Sequence, residues 1–216
     1  FIGRDAWRTA DLSALGFMAA LARGDASWIH PTLLGIKPDF PALLPYWIGA
    51  LVLNWTPAGW PADFWVRVPF ALLLTLAFVG TWYGSYYLAR TPSAQPVAFA
   101  FGGEAKPTDY ARAMADGGLL AFLASLGLAQ LGHETTPALA QLGFSALLFY
   151  ALSALPYHRT GPYVSAVLGI AGLAVSGAPA LSLMFGLGGA CIHAMDKRTG
   201  AGNDADKNYI TLEAIG

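Results

Sequence analysis

Four stretches of the chain, 68–89, 117–132, 135–157 and 160–192, contain no Asp, Glu, Lys or Arg. Each approaches or exceeds the roughly 20 residues that a helix needs to cross about 30 Å of hydrocarbon. The last is too long for one crossing and is interrupted by Ser176, Gly177, Ala178 and Pro179, which predicts two helices joined by a tight turn. The pattern places spans at about 64–90, 114–133, 136–155, 162–176 and 179–196. Ahead of them, Asp11, Leu12, Leu15, Met18, Ala19 and Ala22 recur at helical spacing, with Asp11 placed to cap the start and Gly24 to end the last turn. The run 41–55 is apolar but short and is bracketed by prolines and tryptophans, so it reads as a helix lying at the membrane interface. Expected overall is an all-α, polytopic membrane helical bundle with amphipathic juxtamembrane helices in a long outer loop. Its parts are a loop segment 1–63, a membrane domain 64–196 of about five transmembrane helices, and a polar tail 197–216.

Composition agrees with the pattern. The 216 residues are 56% hydrophobic and 12% charged, about half the charged share of an ordinary soluble domain. The one cysteine, Cys191, excludes an internal disulfide and a thiolate metal cluster. A net charge of -1 offers no basic field to nucleic acid, so no nucleic-acid partner is expected. The chain opens on Phe1 in mid-pattern and reads as a fragment of a longer protein.

Charge also orients the spans. Arg90, Lys106 and Arg112, then His158 and Arg159, then Lys197 and Arg198 all fall on one face, which the positive-inside rule makes cytoplasmic. Counting 41–55 as a span would reverse this. The opposite face receives 1–63, the turn at His133 and Glu134 and the turn at 176–178; Arg67 is a mild exception near that boundary.

The outer face therefore gathers Arg4, Asp5, Arg8, Asp11, Lys37, Asp39, His133 and Glu134, the kind of polar edge that enzymes acting on lipid-linked substrates need. A carboxylate such as Asp5 can take a proton from an acceptor nucleophile; it can equally pair with Arg4 or Arg8, or cap a helix. Glu134 and Thr135 before Pro137 also make a reasonable helix start. The glycines of the apolar runs read as packing residues, and Gly102-Gly103 lacks the lysine and spacing of a phosphate loop.

The ordered set Asp5 in an aromatic and basic stretch, Arg23-Gly24-Asp25, Trp28-Ile29-His30-Pro31, Leu34-Gly35 and Leu44-Pro45-Tyr46-Trp47-Ile48-Gly49-Ala50 resembles the first outer loop of GT-C glycosyltransferases. These are the polyprenyl-phosphate-sugar transferases of the glycosyltransferase family 39 type, which include lipid A aminoarabinose transferase and the protein O-mannosyltransferases. The likeness covers about residues 1 to 90, and the later helices by topology alone. It implies inverting transfer of a sugar from a polyprenyl-phosphate donor to a lipid, glycan or protein acceptor. The reaction would occur on the periplasmic face of a bacterial inner membrane, with Asp5 as general base. Arg4, Arg8 and Lys37 would hold the donor phosphate, and Asp39, His133 and Glu134 a divalent metal such as Mg, Mn or Zn. Related proteins often set an acidic residue and a lysine just before the Pro and Tyr-Trp stretch. Here Lys37-Pro38-Asp39-Phe40-Pro41 has these charges displaced and in reverse order. Two readings from other classes are a membrane transporter, against which stands the lack of an ionisable residue deep in a clean span, and a non-catalytic accessory subunit.

Overall fold

The computed structural model describes residues 8–57, 59–97, 105–125, 127–128, 132–158 and 160–195. Among the described residues the regular structure is helical, with no strands. In chain order it comprises α1 (Thr9–Arg23), α2 (Leu44–Trp55), α3 (Ala62–Ala89), a short 3-10 turn (Pro92–Ala94), α4 (Pro107–Leu123), α5 (Pro137–Ala154), α6 (Thr160–Val175) and α7 (Pro179–Met195). By length and composition α3 and α5 are able to cross a membrane, while α6 and α7 are apolar but shorter.

Helix α1 forms where its helical spacing predicts and ends at Gly24, whose φ of 77° and backbone N–H to the Leu21 carbonyl complete a left-handed cap. Its buried apolar stripe, Ala14, Phe17, Met18 and Leu21, faces α2. There Gly49 gives room to the Met18 side chain, which any Cβ at that position would overlap. Tyr46 and Ala50 of α2, Val66 and Phe70 of α3 and Leu139 of α5 close the same apolar cluster. The short α2 is thus packed against α3 and α5.

Helices α3 and α5 approach most closely, because small residues let backbone meet backbone. A Cβ at Gly80 would stand 2.7 Å from the Ala146 carbonyl oxygen, and one at Gly143 would stand 2.9 Å from that of Leu73. Beyond α5, Gly169 and Gly172 of α6 receive Leu148 and Phe144. The predicted break between α6 and α7 is a turn on Gly177 at φ 87°, a conformation that suits glycine.

Of the five expected spans, two correspond to helices long and apolar enough to cross among the described residues, and α4 is neither of these nor one of the shorter apolar helices. The segment expected as a helix over about 114–133 is helical from Pro107 and ends at Leu123. Pro107 supplies a favourable first turn, and Ser125 closes the helix by returning its hydroxyl and N–H to the Phe122 carbonyl.

Contacts among the described residues define two ends of the helix bundle. Asp11 reaches Thr135, and the Leu43 N–H reaches the Val175 carbonyl at 2.8 Å, so α1, the start of α2 and the turns at 133–136 and 176–178 share one end. At the other, Tyr87 bonds His158 and Arg90 lies over Tyr157. Lys197, Arg198, Arg159 and the tail 197–216 lie outside the described residues.

Candidate functional site

Between α1, the loop 33–40 and the first turn of α5 lies a cavity of about 420 Å³. Its polar wall includes Ser13, Lys37, Asp39, Tyr46, Glu134 and Thr136, and Phe17 and Leu33 supply apolar wall. The loop reaches this position through a tight turn in which Leu33 and Ile36 exchange both backbone hydrogen bonds at 2.9 Å. Leu34 (φ 52°) and Gly35 (φ 81°) form the tip. Both are left-handed, which glycine tolerates and leucine adopts at a cost. Beyond the loop, a second cavity of about 390 Å³ is lined by His30, Thr32, Lys37 and Pro38, so Lys37-Pro38 borders both spaces.

Glu134 is 5% exposed, and its Oε1 stands 3.6 Å from Arg8 Nη1. This is an ion pair too long for a hydrogen bond, and Oε1 has no hydrogen-bond partner among the described residues. Thr136 Oγ1, also on the cavity wall, has none either. On the other wall Tyr46 packs against the Phe17 ring at 5.3 Å. Burial first, and the nearby Asp39 carboxylate second, push its phenol up to about 12.

The turn that carries Glu134 is fixed from behind. Asp11 is 1% exposed, and its Oδ1 accepts the Thr135 N–H and the Thr135 hydroxyl, each at 2.7 Å. Its Oδ2 faces Arg67 Nη2 at 3.6 Å, and Arg67 is 5% exposed. Asp11 is therefore not the helix cap that the sequence led us to expect; Arg8 occupies the cap position without a side-chain cap bond. The carboxylate is buried because α3 supplies a cation and the chain before α5 supplies two donors. Arg67, an exception to the charge pattern, is thereby explained as the partner of a buried acid. The sequence reading missed this junction of α1, α3 and α5. Its one signal was an arginine next to an apolar run.

Of the residues singled out from sequence, Lys37, Asp39 and Glu134 line one cavity, and Arg8 pairs with Glu134. Arg4 and Asp5 lie outside the described residues. His133 is not on the cavity wall. Among the described residues, no three His, Cys, Asp or Glu side chains stand close enough to hold a metal ion. What does converge is an ammonium, two carboxylates and several hydroxyls over aromatic carbon, a set able to bind hydroxyl and phosphate groups and to exchange protons with them. Compared with family models, curated proteins and solved structures, the chain matches none.

Proposed function

We propose that this chain belongs to a multi-pass inner-membrane glycosyltransferase of the GT-C type. In this reading it transfers a sugar from a polyprenyl-phosphate donor to a lipid, glycan or protein acceptor at the periplasmic face. The observation that carries the reading is the convergence of Lys37, Asp39 and Glu134 on one cavity, at the end remote from Arg90 and His158. The apolar exterior supports membrane placement, for Leu72, Leu183 and Leu187 are each at least 64% exposed on helices rich in such residues.

In the reaction an acceptor hydroxyl or amine attacks the anomeric carbon of the donor. The bond from that carbon to the phosphate oxygen breaks, and the lipid phosphate leaves with the electron pair. Asp5, three positions before Arg8 in the sequence, takes the acceptor proton. Lys37, which carries no ion pair among the described residues, faces the charge that develops on the departing phosphate. Arg8 is partly neutralised by Glu134 and serves to hold that carboxylate at the cavity edge.

The test is transfer of a labelled sugar from polyprenyl phosphate in membranes that carry the complete protein, with Asp5→Asn at matched expression. The expected loss in the variant is about 100-fold or more. Equal activity would remove Asp5 from the chemistry. No transfer by the wild type would favour a non-catalytic accessory subunit.

A further inference from the structure

The chain enters α5 through an extended residue, Thr136, with φ -93° and ψ 158°. Neighbours in extended backbone point to opposite sides. Thr135 turns back to Asp11 through its N–H and its hydroxyl, and Glu134 and Thr136 on either side of it line the cavity. Thr136 stands at the N-cap of α5, a helix of 18 residues, yet makes no side-chain cap bond. A threonine there ordinarily accepts an N–H of the first turn on its side-chain oxygen. Here the Leu139 N–H goes to the Thr136 carbonyl at 3.2 Å. The hydroxyl, on a residue 6% exposed, has no partner among the described residues.

Glu134 accepts no hydrogen bond among the described residues either. Its Oε1 is shut off beside Arg8, which leaves Oε2 to the cavity. Arg8 already sets a positive charge against this carboxylate, so what Glu134 lacks is a hydrogen-bond donor and not a second cation. Thr136 can donate and accept, and one χ1 step turns its hydroxyl toward a ligand. A carboxylate that needs a donor and a hydroxyl that needs any partner, two residues apart on one wall, match a ligand with two adjacent neutral hydroxyls.

We infer that residues 134–136 form the sugar subsite of this cavity, where Glu134 accepts a hydrogen bond from one hydroxyl of the donor's sugar and Thr136 bonds the next. The inference deepens the reading above and rests on it for the choice of ligand. The sugar is joined to the phosphate that Lys37 of the same cavity faces, so it lies within reach of this wall.

The experiment measures binding of decaprenyl phosphate, bare or carrying glucose, mannose, galactose or arabinose, to the complete purified protein in detergent. The wild type is expected to bind at least one sugar-bearing form about tenfold or more tighter than the bare lipid. Thr136→Val and Glu134→Ala should each weaken that form by about tenfold and leave the bare lipid unchanged, and Thr136→Ser should keep the preference. Since the Thr136 hydroxyl is unpartnered in the empty protein, Thr136→Val should not lower its Tm. Equal affinity of the wild type for all forms, equal weakening of bare and sugar-bearing lipid in the variants, or a lowered Tm for Thr136→Val overturns the subsite. Binding of no form overturns it together with the reading of Lys37 as a phosphate group's partner. Preferential binding without sugar transfer leaves the subsite standing and removes the enzymatic reading.

Discussion

At the end that carries α1, Asp11 and Arg67 are 1% and 5% exposed and meet inside the protein, with Thr135 completing the carboxylate's bonds. At the far end Arg90 lies across the faces of Tyr86 and Tyr157, and Arg112 pairs with Asp109 in the open. A buried pair is costly to break, because the partner left behind is charged and away from water. A stacked or exposed cation keeps its hydration, and the loss of one contact there is small. The first arrangement fixes the geometry of neighbouring groups, here the turn that presents Glu134. The second fixes little beyond the side chains that make it, Arg90 on its two rings and Arg112 on Asp109.

The largest effect that can break this contrast is at Arg67. Arg67→Met should lower stability by about 3–5 kcal/mol, since Asp11 would remain buried and unpaired. Adding Asp11→Asn should restore much of the loss in thermal unfolding. A loss below about 1 kcal/mol, the range of exposed pairs, would show that the pair is wetter than its burial implies. A smaller effect is expected at the other end. Tyr87→Phe removes an exposed hydrogen bond to His158 Nε2 at 3.0 Å, which should cost at most about 1 kcal/mol. A loss comparable with that of Arg67→Met would mean that the aromatic end is no looser than the other.

The smallest effect sharpens the picture of the cavity. Tyr46 prefers its neutral form in the folded protein, with its phenol raised from 10.0 to about 12. Its contribution to stability is therefore complete below pH 10.0 and is lost as pH rises toward about 12. Phenolate absorbance should show a late-titrating tyrosine that Tyr46→Phe abolishes. If that variant keeps the late step, Tyr46 is not the group buried beside Asp39.

The parts legible in the sequence were those written in local signals. Periodicity and Gly24 defined α1, and Ser176 to Pro179 marked the break between α6 and α7. Lys37, Asp39 and Glu134 stand out in the sequence as polar groups between apolar runs, and they line one cavity. The start of α4 is not legible in the sequence because the helix begins ahead of the uncharged run. Pro107, Asp109, Arg112 and Asp116 are compatible with helix but belong to no apolar run. Asp11 was misread for another reason. An acid near a helix start looks the same in sequence whether it caps the helix or turns inward, and the deciding partners, Arg67 and Thr135, are remote in the chain.

That remoteness has a consequence for biogenesis. Asp11 is synthesised before either of its partners, so its carboxylate stays in water while α3 and the start of α5 are being made. Helix α1 can pack on α2 beforehand, but the junction at Asp11 can close only after both partners are in place. A chain in which α3 and α5 fail to pair would leave Asp11 without Arg67 and Thr135 while α1 still rests on α2.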